Sequence, residues 1–240
     1  MKVYDVVVIG GGHAGCEAAS AAARLGAKTV LVTINLCEIG KMPCNPAIGG
    51  PGKSQLVAEI DALGGEIGRL ADRTALNTRL LNTSKGAAMQ VRRAQTDRAR
   101  YKSLWKARLE EIDGLDLIEG MVDDLRIRDG RVTGVTLREG VSLRTGAVVI
   151  AAGTFLNGRV LIGERGYPAG RSGEPPSEAL AASMRRAGLK MGRFHTGTTP
   201  RVNRHTIDAA GLDRQDTSEV PLGFSFRTQP TVLPLSLIHI

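Results

Sequence analysis

A chain of 240 residues, 42% of them hydrophobic, is long enough to bury the core of one or two domains. Its formal net charge of +8 is concentrated: residues 69–108 carry eleven Lys or Arg against two acids, Asp72 and Asp97, so the remainder is close to neutral. No apolar run approaches bilayer-spanning length and no targeting segment precedes the first strand, which predicts a cytoplasmic chain with no membrane partner. In that compartment Cys16, Cys37 and Cys44 read as free thiols and not as a disulfide framework, and no metal site is expected.

The chain opens on Val6-Val7-Val8-Ile9, a continuous apolar run of the kind buried on both faces of a parallel sheet. Gly10, Gly12 and Gly15 then fill a G-x-G-x-x-G pattern. The first glycine allows a tight turn, the second lets backbone approach a pyrophosphate, and the third lets helix pack on strand. The alanine-rich stretch 14–25 predicts a helix with Gly26 as its C-cap, and a strand over 29–32 completes a βαβ unit. A phosphate held there would sit at a helix N-terminus. Where an acid for a ribose hydroxyl is expected the chain has Thr33, which leaves FAD and NAD both open on motif grounds.

A loop rich in Gly, Pro and Cys (36–52) precedes a predicted helix whose Leu56, Val57, Ile60 and Leu63 share one face and which ends at Gly64-Gly65. The basic stretch also reads as helical, with Val91, Ala94, Tyr101, Trp105 and Leu109 along one side. A polyanion partner or a solvated helix face would each account for its charge. From Leu115 the pattern turns to strands: 115–118, then 125–127 and 132–137 joined across Asp129-Gly130, and a buried run at 147–152 closing on Gly153. Residues 163–176 read as a long loop, Ser177 as the cap of a helix over 178–187, and the chain beyond His195 as weakly structured.

Two further patterns bear on chemistry. A-I-G-G-P-G-K-S at 47–54 approaches a P-loop, but Ala47 replaces its first glycine and Cys-Asn-Pro precedes it in place of a strand. Cys37 and Cys44 follow the first βαβ unit, where flavin disulfide reductases carry a redox pair at a closer spacing. Cys44 by itself, followed by Asn45-Pro46 and glycines, sits on a constrained loop where a deprotonated thiol acts as a nucleophile; a buried loop cysteine is the alternative.

G-G-G-H-A-G at 10–15, C-N-P-A-I-G-G at 44–50, D-A-L-G-G at 61–65, S-K-G at 84–86 and A-G-T-F-L-N-G at 152–158 together resemble the MnmG (GidA) family. The likeness runs from Val3 to about Pro234, and C-N-P-A-I-G-G separates it from the sister folate-dependent tRNA methyltransferases. The resemblance implies a glutathione-reductase-like, Rossmann-like α/β FAD-binding fold over 1–194, with a helical basic insertion at about 54–112 and a β-meander. A second domain would begin at 195–234 and be cut short. FAD would be held by Gly10, Gly11, Gly12, His13, Ala14 and Gly15, with Val122 near its adenine and Ser177 as a further contact. Cys44 would be catalytic, attacking the uracil ring. The implied reaction adds a carboxymethylaminomethyl group at C5 of the wobble uridine of tRNA. Its implied participants are NADH as reductant, methylene-tetrahydrofolate as one-carbon donor, glycine or ammonium, and an MnmE-type GTPase partner of a homodimer. Thr33 agrees with this family, which commonly lacks the ribose-binding acid.

Family members are longer, so the chain is expected to be an N-terminal fragment lacking a second functional cysteine, a further glycine motif and the helical domain that meets the GTPase. In R-F-H-T-G-T-T-P-R, His195 and Thr199 stand where Lys and Pro are expected. L-S-L-I-H-I at 235–240 does not fit the family and reads as a non-native tail from a cloning junction. Two other readings stay open: a flavin or NAD oxidoreductase using a Cys37/Cys44 pair, and a nucleotide- or RNA-binding module without catalysis. The basic block favours the tRNA-modifying reading over the oxidoreductase.

Overall fold

The computed structural model of the protein describes residues 2–213 and 215–229; the expected non-native tail, 235–240, lies outside them. In chain order the elements are β1 (Val3–Ile9), α1 (His13–Arg24), β2 (Thr29–Thr33), β3 (Ala47–Gly49), α2 (Lys53–Ala62), α3 (Ile67–Thr74), β4 (Ala75–Leu81), β5 (Val91–Thr96) and α4 (Arg98–Glu110). They continue with β6 (Leu115–Glu119), β7 (Val122–Arg128), β8 (Arg131–Leu137), β9 (Ser142–Ile150), β10 (Arg159–Ile162), β11 (Arg165–Pro168) and α5 (Glu178–Arg186). Two compact units result: residues up to Lys41 with Trp105–Phe194, and Met42–Leu104 with the described residues from His195 on.

The first unit is a Rossmann-like α/β structure. Its six-stranded sheet has the order β6-β2-β1-β9-β8-β7, with β6, β2, β1 and β9 parallel and β7–β8–β9 an antiparallel meander. All five residues of β2 and Val7, Val8 and Ile9 of β1 are buried, so the valine run needs no polar alternation. The helix α1 buries only small residues, Gly15, Cys16, Ala19, Ser20 and Ala23, which brings it close to the sheet. It ends as predicted: Gly26 is left-handed (φ 87°) and donates to Ala23 O at 2.9 Å, while Ala27 N donates to Ala22 O at 3.1 Å. Asp129 (φ 51°) and Gly130 (φ 72°) make the predicted hairpin turn between β7 and β8. The core on one side of this sheet gathers Tyr4, Val30, Val122, Leu137 and, from α5, Leu180. Within the expected 163–176 loop, β11 pairs with β10 as an exposed hairpin turning at Gly163 (φ 57°), a feature hidden by the Gly and Pro content of that stretch.

The second unit differs from the helical insertion expected at 54–112. It holds a three-stranded antiparallel sheet, β3-β5-β4, beside α2 and α3. Val91 and Ala94, three residues apart, imitate a helical stripe, but both lie on the central strand β5, whose two faces are partly covered. The helix begins only at Arg98, where Asp97 Oδ1 accepts the N–H groups of Ala99 and Arg100, both at 3.0 Å. On α2 the predicted apolar face is also wrong: Leu56 and Leu63 are exposed, and Val57 and Asp61 are buried.

Asp61 is buried because it receives a distant segment. Its carboxylate accepts from Phe226 N at 2.9 Å and from the Arg227 guanidinium at 3.0 Å. Asp72 accepts from Phe224 N at 2.8 Å, Ser225 N at 3.0 Å and the Thr228 hydroxyl. The two acids thereby fix residues 224–228 against α2 and α3, with Phe224 buried. Burial alone would raise the Asp61 carboxyl, but the donors from Ser225, Phe226 and Arg227 outweigh it and hold it below the ordinary carboxylate range. A carboxylate depressed in the folded state stabilises above its unfolded pKa and loses that stabilisation as pH falls through the folded value. Asp61→Ala in the complete gene product should therefore cost about 2 kcal/mol at pH 7, read from the urea midpoint. The gap to wild type should close below about pH 4, and a gap independent of pH would show that the carboxylate's charge contributes nothing.

Candidate functional site

The glycine turn after β1 is set by close contacts. Gly10 has φ 107°, and a Cβ there would stand 2.4 Å from Ala151 O at the end of β9. A Cβ on Gly15 would stand 1.8 Å from Gly10 O, so only glycine lets the first turn of α1 lie on the strand end. Gly12 is different. It is the N-cap of α1 with an extended backbone, and a Cβ there would meet nothing within 4 Å. No side chain caps this helix and no acid stands in its first turn, so its N-terminal amides lie beside open space where an anion fits. Beneath them, burial keeps His13 below the ordinary histidine range and pushes the Cys16 thiol up to about 12, so both are neutral near pH 7. Cys16 donates to Gly11 O at 3.3 Å and is a core residue.

Thr33 ends β2 and abuts Gly11, where a Cβ would stand 2.9 Å from its Oγ1. The neighbouring strand brings a carboxylate to this end of β2: Glu119 pairs with Thr33 across the sheet and accepts the N–H of Leu36 at 2.9 Å. Sequence spacing along β2 could not find it, because it arrives on a different strand. Two residues after Gly120, which donates to Thr33 O at 2.8 Å, Val122 starts β7 opposite Leu137 with its side chain in the core, so contact to a ligand there falls to its backbone. Ser177 occupies the predicted N-cap position of α5, but its φ of −97° and ψ of 79° go with no capping hydrogen bond from its side chain. Instead its backbone is tied to the segment after β9, donating to Phe155 O at 2.8 Å and accepting from Asn157 N at 3.1 Å.

In the second unit Cys44 is half-buried, with its Sγ 3.8 Å from Gly197 O. Its carbonyl accepts from Arg98 at 3.3 Å and from Arg201. Next to it, Asn45 Oδ1 accepts from Thr199 Oγ1 at 2.8 Å, and Pro46 O accepts from Thr96 N at 2.7 Å. Thr199, whose residue type departs from the expected proline, thus has a defined contact, whereas His195 is exposed. The three cysteines are free thiols, Cys37 exposed in a short 3-10 turn over Leu36–Glu38. The P-loop-like stretch enters α2 from β3, and the Ser54 hydroxyl is engaged by backbone, donating to Arg92 O at 2.5 Å and accepting from Gly50 N at 3.1 Å. That hydroxyl has no room for the metal-bound role it plays in nucleoside triphosphatases. Among the described residues no group of His, Cys, Asp or Glu is placed to hold a metal, and no helix is long and apolar enough to cross a membrane.

The basic block is divided by its contacts. Arg69 pairs with Glu66 at 3.2 Å, Lys106 with Glu110 at 2.8 Å and Arg108 with Glu111 at 3.5 Å. Arg92 donates to Gly223 O and Arg98 to Cys44 O. Tyr101 and Trp105 are fully buried, which excludes them as stacking platforms.

The family model described as glucose inhibited division protein A matches residues 5–235. The chain is 53% identical over 223 residues to the tRNA uridine 5-carboxymethylaminomethyl modification enzyme MnmG of Caldicellulosiruptor saccharolyticus, covering 93% of this chain and 36% of that protein. The MnmG of Protochlamydia amoebophila is 49% identical over 212 residues, covering 88% of this chain and 34% of the relative. Among solved structures, GidA of Aquifex aeolicus in its form I crystal superposes with a TM-score of 0.91 at 47% identity, over 95% of this chain and 38% of that one. The chain thus spans about a third of the length of the relatives it matches. Taken with the glycine turn, the parallel sheet and the C-N-P-A-I-G-G loop, the match places this chain in the glucose inhibited division protein A family.

Proposed function

We propose that the chain is the nucleotide-binding and thiol-bearing part of a cytoplasmic, FAD-dependent tRNA-modifying enzyme. The enzyme adds a carboxymethylaminomethyl group at C5 of the wobble uridine, together with an MnmE-type GTPase. One observation carries the first half of this reading: the uncapped N-terminus of α1 beside the open space at Gly12. The names of the relatives, matched across nearly all of this chain, carry the second. In domain terms the unit of residues up to Lys41 with Trp105–Phe194 is the FAD-binding part and the unit of Met42–Leu104 with the described residues from His195 on is the thiol-bearing part, and the complete protein works as a homodimer.

Gly10 to Gly15 hold the FAD pyrophosphate on backbone amides, with the Val122 backbone and Ser177 as further contacts. Bound there, FAD supplies the two-electron chemistry of the reaction, with NADH as its reductant and methylene-tetrahydrofolate as the one-carbon donor. The Cys44 thiol supplies the covalent step. Its sulfur, deprotonated, adds to C6 of the uracil ring, the C5–C6 double bond opens, and C5 becomes the nucleophile that takes the methylene carbon; of that carbon's two bonds to folate nitrogen, one breaks as C5 bonds and the other as the glycine or ammonium nitrogen bonds, releasing tetrahydrofolate. Loss of the C5 proton and departure of the sulfur restore the double bond. Hydrogen bonds from Arg98 and Arg201 to the Cys44 carbonyl, and from Thr199 to Asn45, fix the loop from which the sulfur acts.

Gly12 gives a clean test of the cofactor, because valine there is compatible with both its φ of −77° and the empty space around it. Gly12→Val in the complete gene product should fold normally yet lose the visible flavin absorbance, and retention of wild-type flavin would refute the placement.

For the thiol, Cys44→Ser should keep flavin and tRNA binding but lower wobble-uridine modification, measured by mass spectrometry of tRNA nucleosides, by on the order of 10³-fold or more. Cys37→Ser should be nearly silent. Equal losses in the two variants would favour a redox pair, and full activity in Cys44→Ser would make the residue structural.

A further inference from the structure

Beside Cys44, wholly within the second unit, lies a cleft of about 610 Å³. Its floor is one face of the β4–β5 ladder, presenting Asn77, Arg79, Arg93 and Gln95. Asn45 and Pro46, the residues after Cys44, also line it, as does Arg201, which donates to the Cys44 carbonyl. Arg79 and Arg93 are direct cross-strand partners, which places two guanidinium groups side by side. Like charges directly opposite one another on a sheet are destabilising. Among the described residues no Asp or Glu lines the cleft to offset the pair, and the Nε of Arg93 is buried without a hydrogen-bond partner. Elsewhere in the same basic stretch acids answer the charges, as at Arg69, Lys106 and Arg108.

Three guanidinium groups around an acid-free cleft are complementary to an oxyanion, and the planar fork of arginine matches phosphate in particular. Building on the proposed function, we infer that Arg79, Arg93 and Arg201 bind a backbone phosphate of the RNA strand, next to the nucleotide whose base meets Cys44. The cleft wall and the thiol belong to consecutive residues, so a base at the sulfur leaves its flanking phosphate at the arginines. Asn77 lies on the same floor, its side-chain amide donating to Gln215 O at 3.4 Å.

The test uses the complete gene product and an anticodon stem-loop RNA, with affinity measured across a salt series. Arg93→Gln and the Arg79→Gln/Arg93→Gln double variant should bind at least tenfold more weakly at 0.1 M salt. The slope of log affinity against log salt should flatten by about 0.7–0.9 for each phosphate that the variant no longer neutralises. Removing one of two facing like charges should leave the melting temperature unchanged or raise it, and bound flavin reports that the fold is intact. Arg93→Lys, which keeps the charge but not the fork, should restore the slope and only part of the affinity.

Wild-type affinity and slope in the double variant, while the unsubstituted protein binds RNA, would overturn the cleft assignment and leave the tRNA reading standing. Loss of NADH-dependent flavin reduction with RNA affinity intact would reassign the arginines to a dinucleotide phosphate and likewise overturn it. Failure of the unsubstituted protein to bind RNA would bring down the tRNA reading and this inference together.

Discussion

The docking of α1 on β1 rests on a single approach: the α-carbon of Gly15 lies where any side chain would collide with the carbonyl of Gly10. That approach fixes the helix axis over the strand end and directs its unpaired amides past Gly12. The small buried face of α1 follows from the same requirement, since Cys16, Ala19 and Ala23 are what fits at that separation. Burial of Cys16 then keeps its thiol protonated and removes it from any chemistry. Of the three cysteines, the one within hydrogen-bond reach of this turn is therefore the one that cannot act.

Three acids of the second unit are committed to structural contacts. Asp61 and Asp72 are spent on the backbone and side chains of residues 224–228, and Asp97 on the start of α4. Among the described residues that line the cleft with Arg79 and Arg93 there is no Asp or Glu. Local folding demands thus convert a basic stretch of sequence into an unbalanced positive cleft, and the +8 of the whole chain understates how strongly cationic that cleft is.

What the sequence revealed and what it hid divides by the range of the interactions. The glycine turn, the Gly26 cap and the Asp129-Gly130 hairpin are decided within a few residues, and each stands where its pattern put it. The division of the basic stretch into strand and helix was hidden because β5 is a central strand, whose buried Val91 and Ala94 have lost the alternation that marks a half-exposed one. Asp97 was a readable local signal, an N-cap residue followed by a helical run. The face of α2 was not readable, because the partners that bury Asp61 lie 165 and 166 residues downstream at Phe226 and Arg227. Glu119 was missed for a similar reason, since it reaches the end of β2 across a sheet pairing. Cys44 was legible as a candidate from the Asn-Pro and glycines that follow it, but the arginines that hold its carbonyl come from distant positions, 98 and 201, and no spacing ties them to it.

On the proposed reading the chain offers anions two chemically different surfaces, and the difference suits different ligands. At α1 the donors are backbone amides, rigid and without charge, which bind without ordering any side chain and depend little on salt. Such a site suits a cofactor that stays bound through many turnovers. At Arg79, Arg93 and Arg201 the donors are charged side chains, whose attraction to phosphate is strong at low salt and weakens as counterions compete. A substrate that must arrive, present one base and leave is better served by that second kind of surface, because steering speeds its arrival and screening keeps its release from becoming limiting.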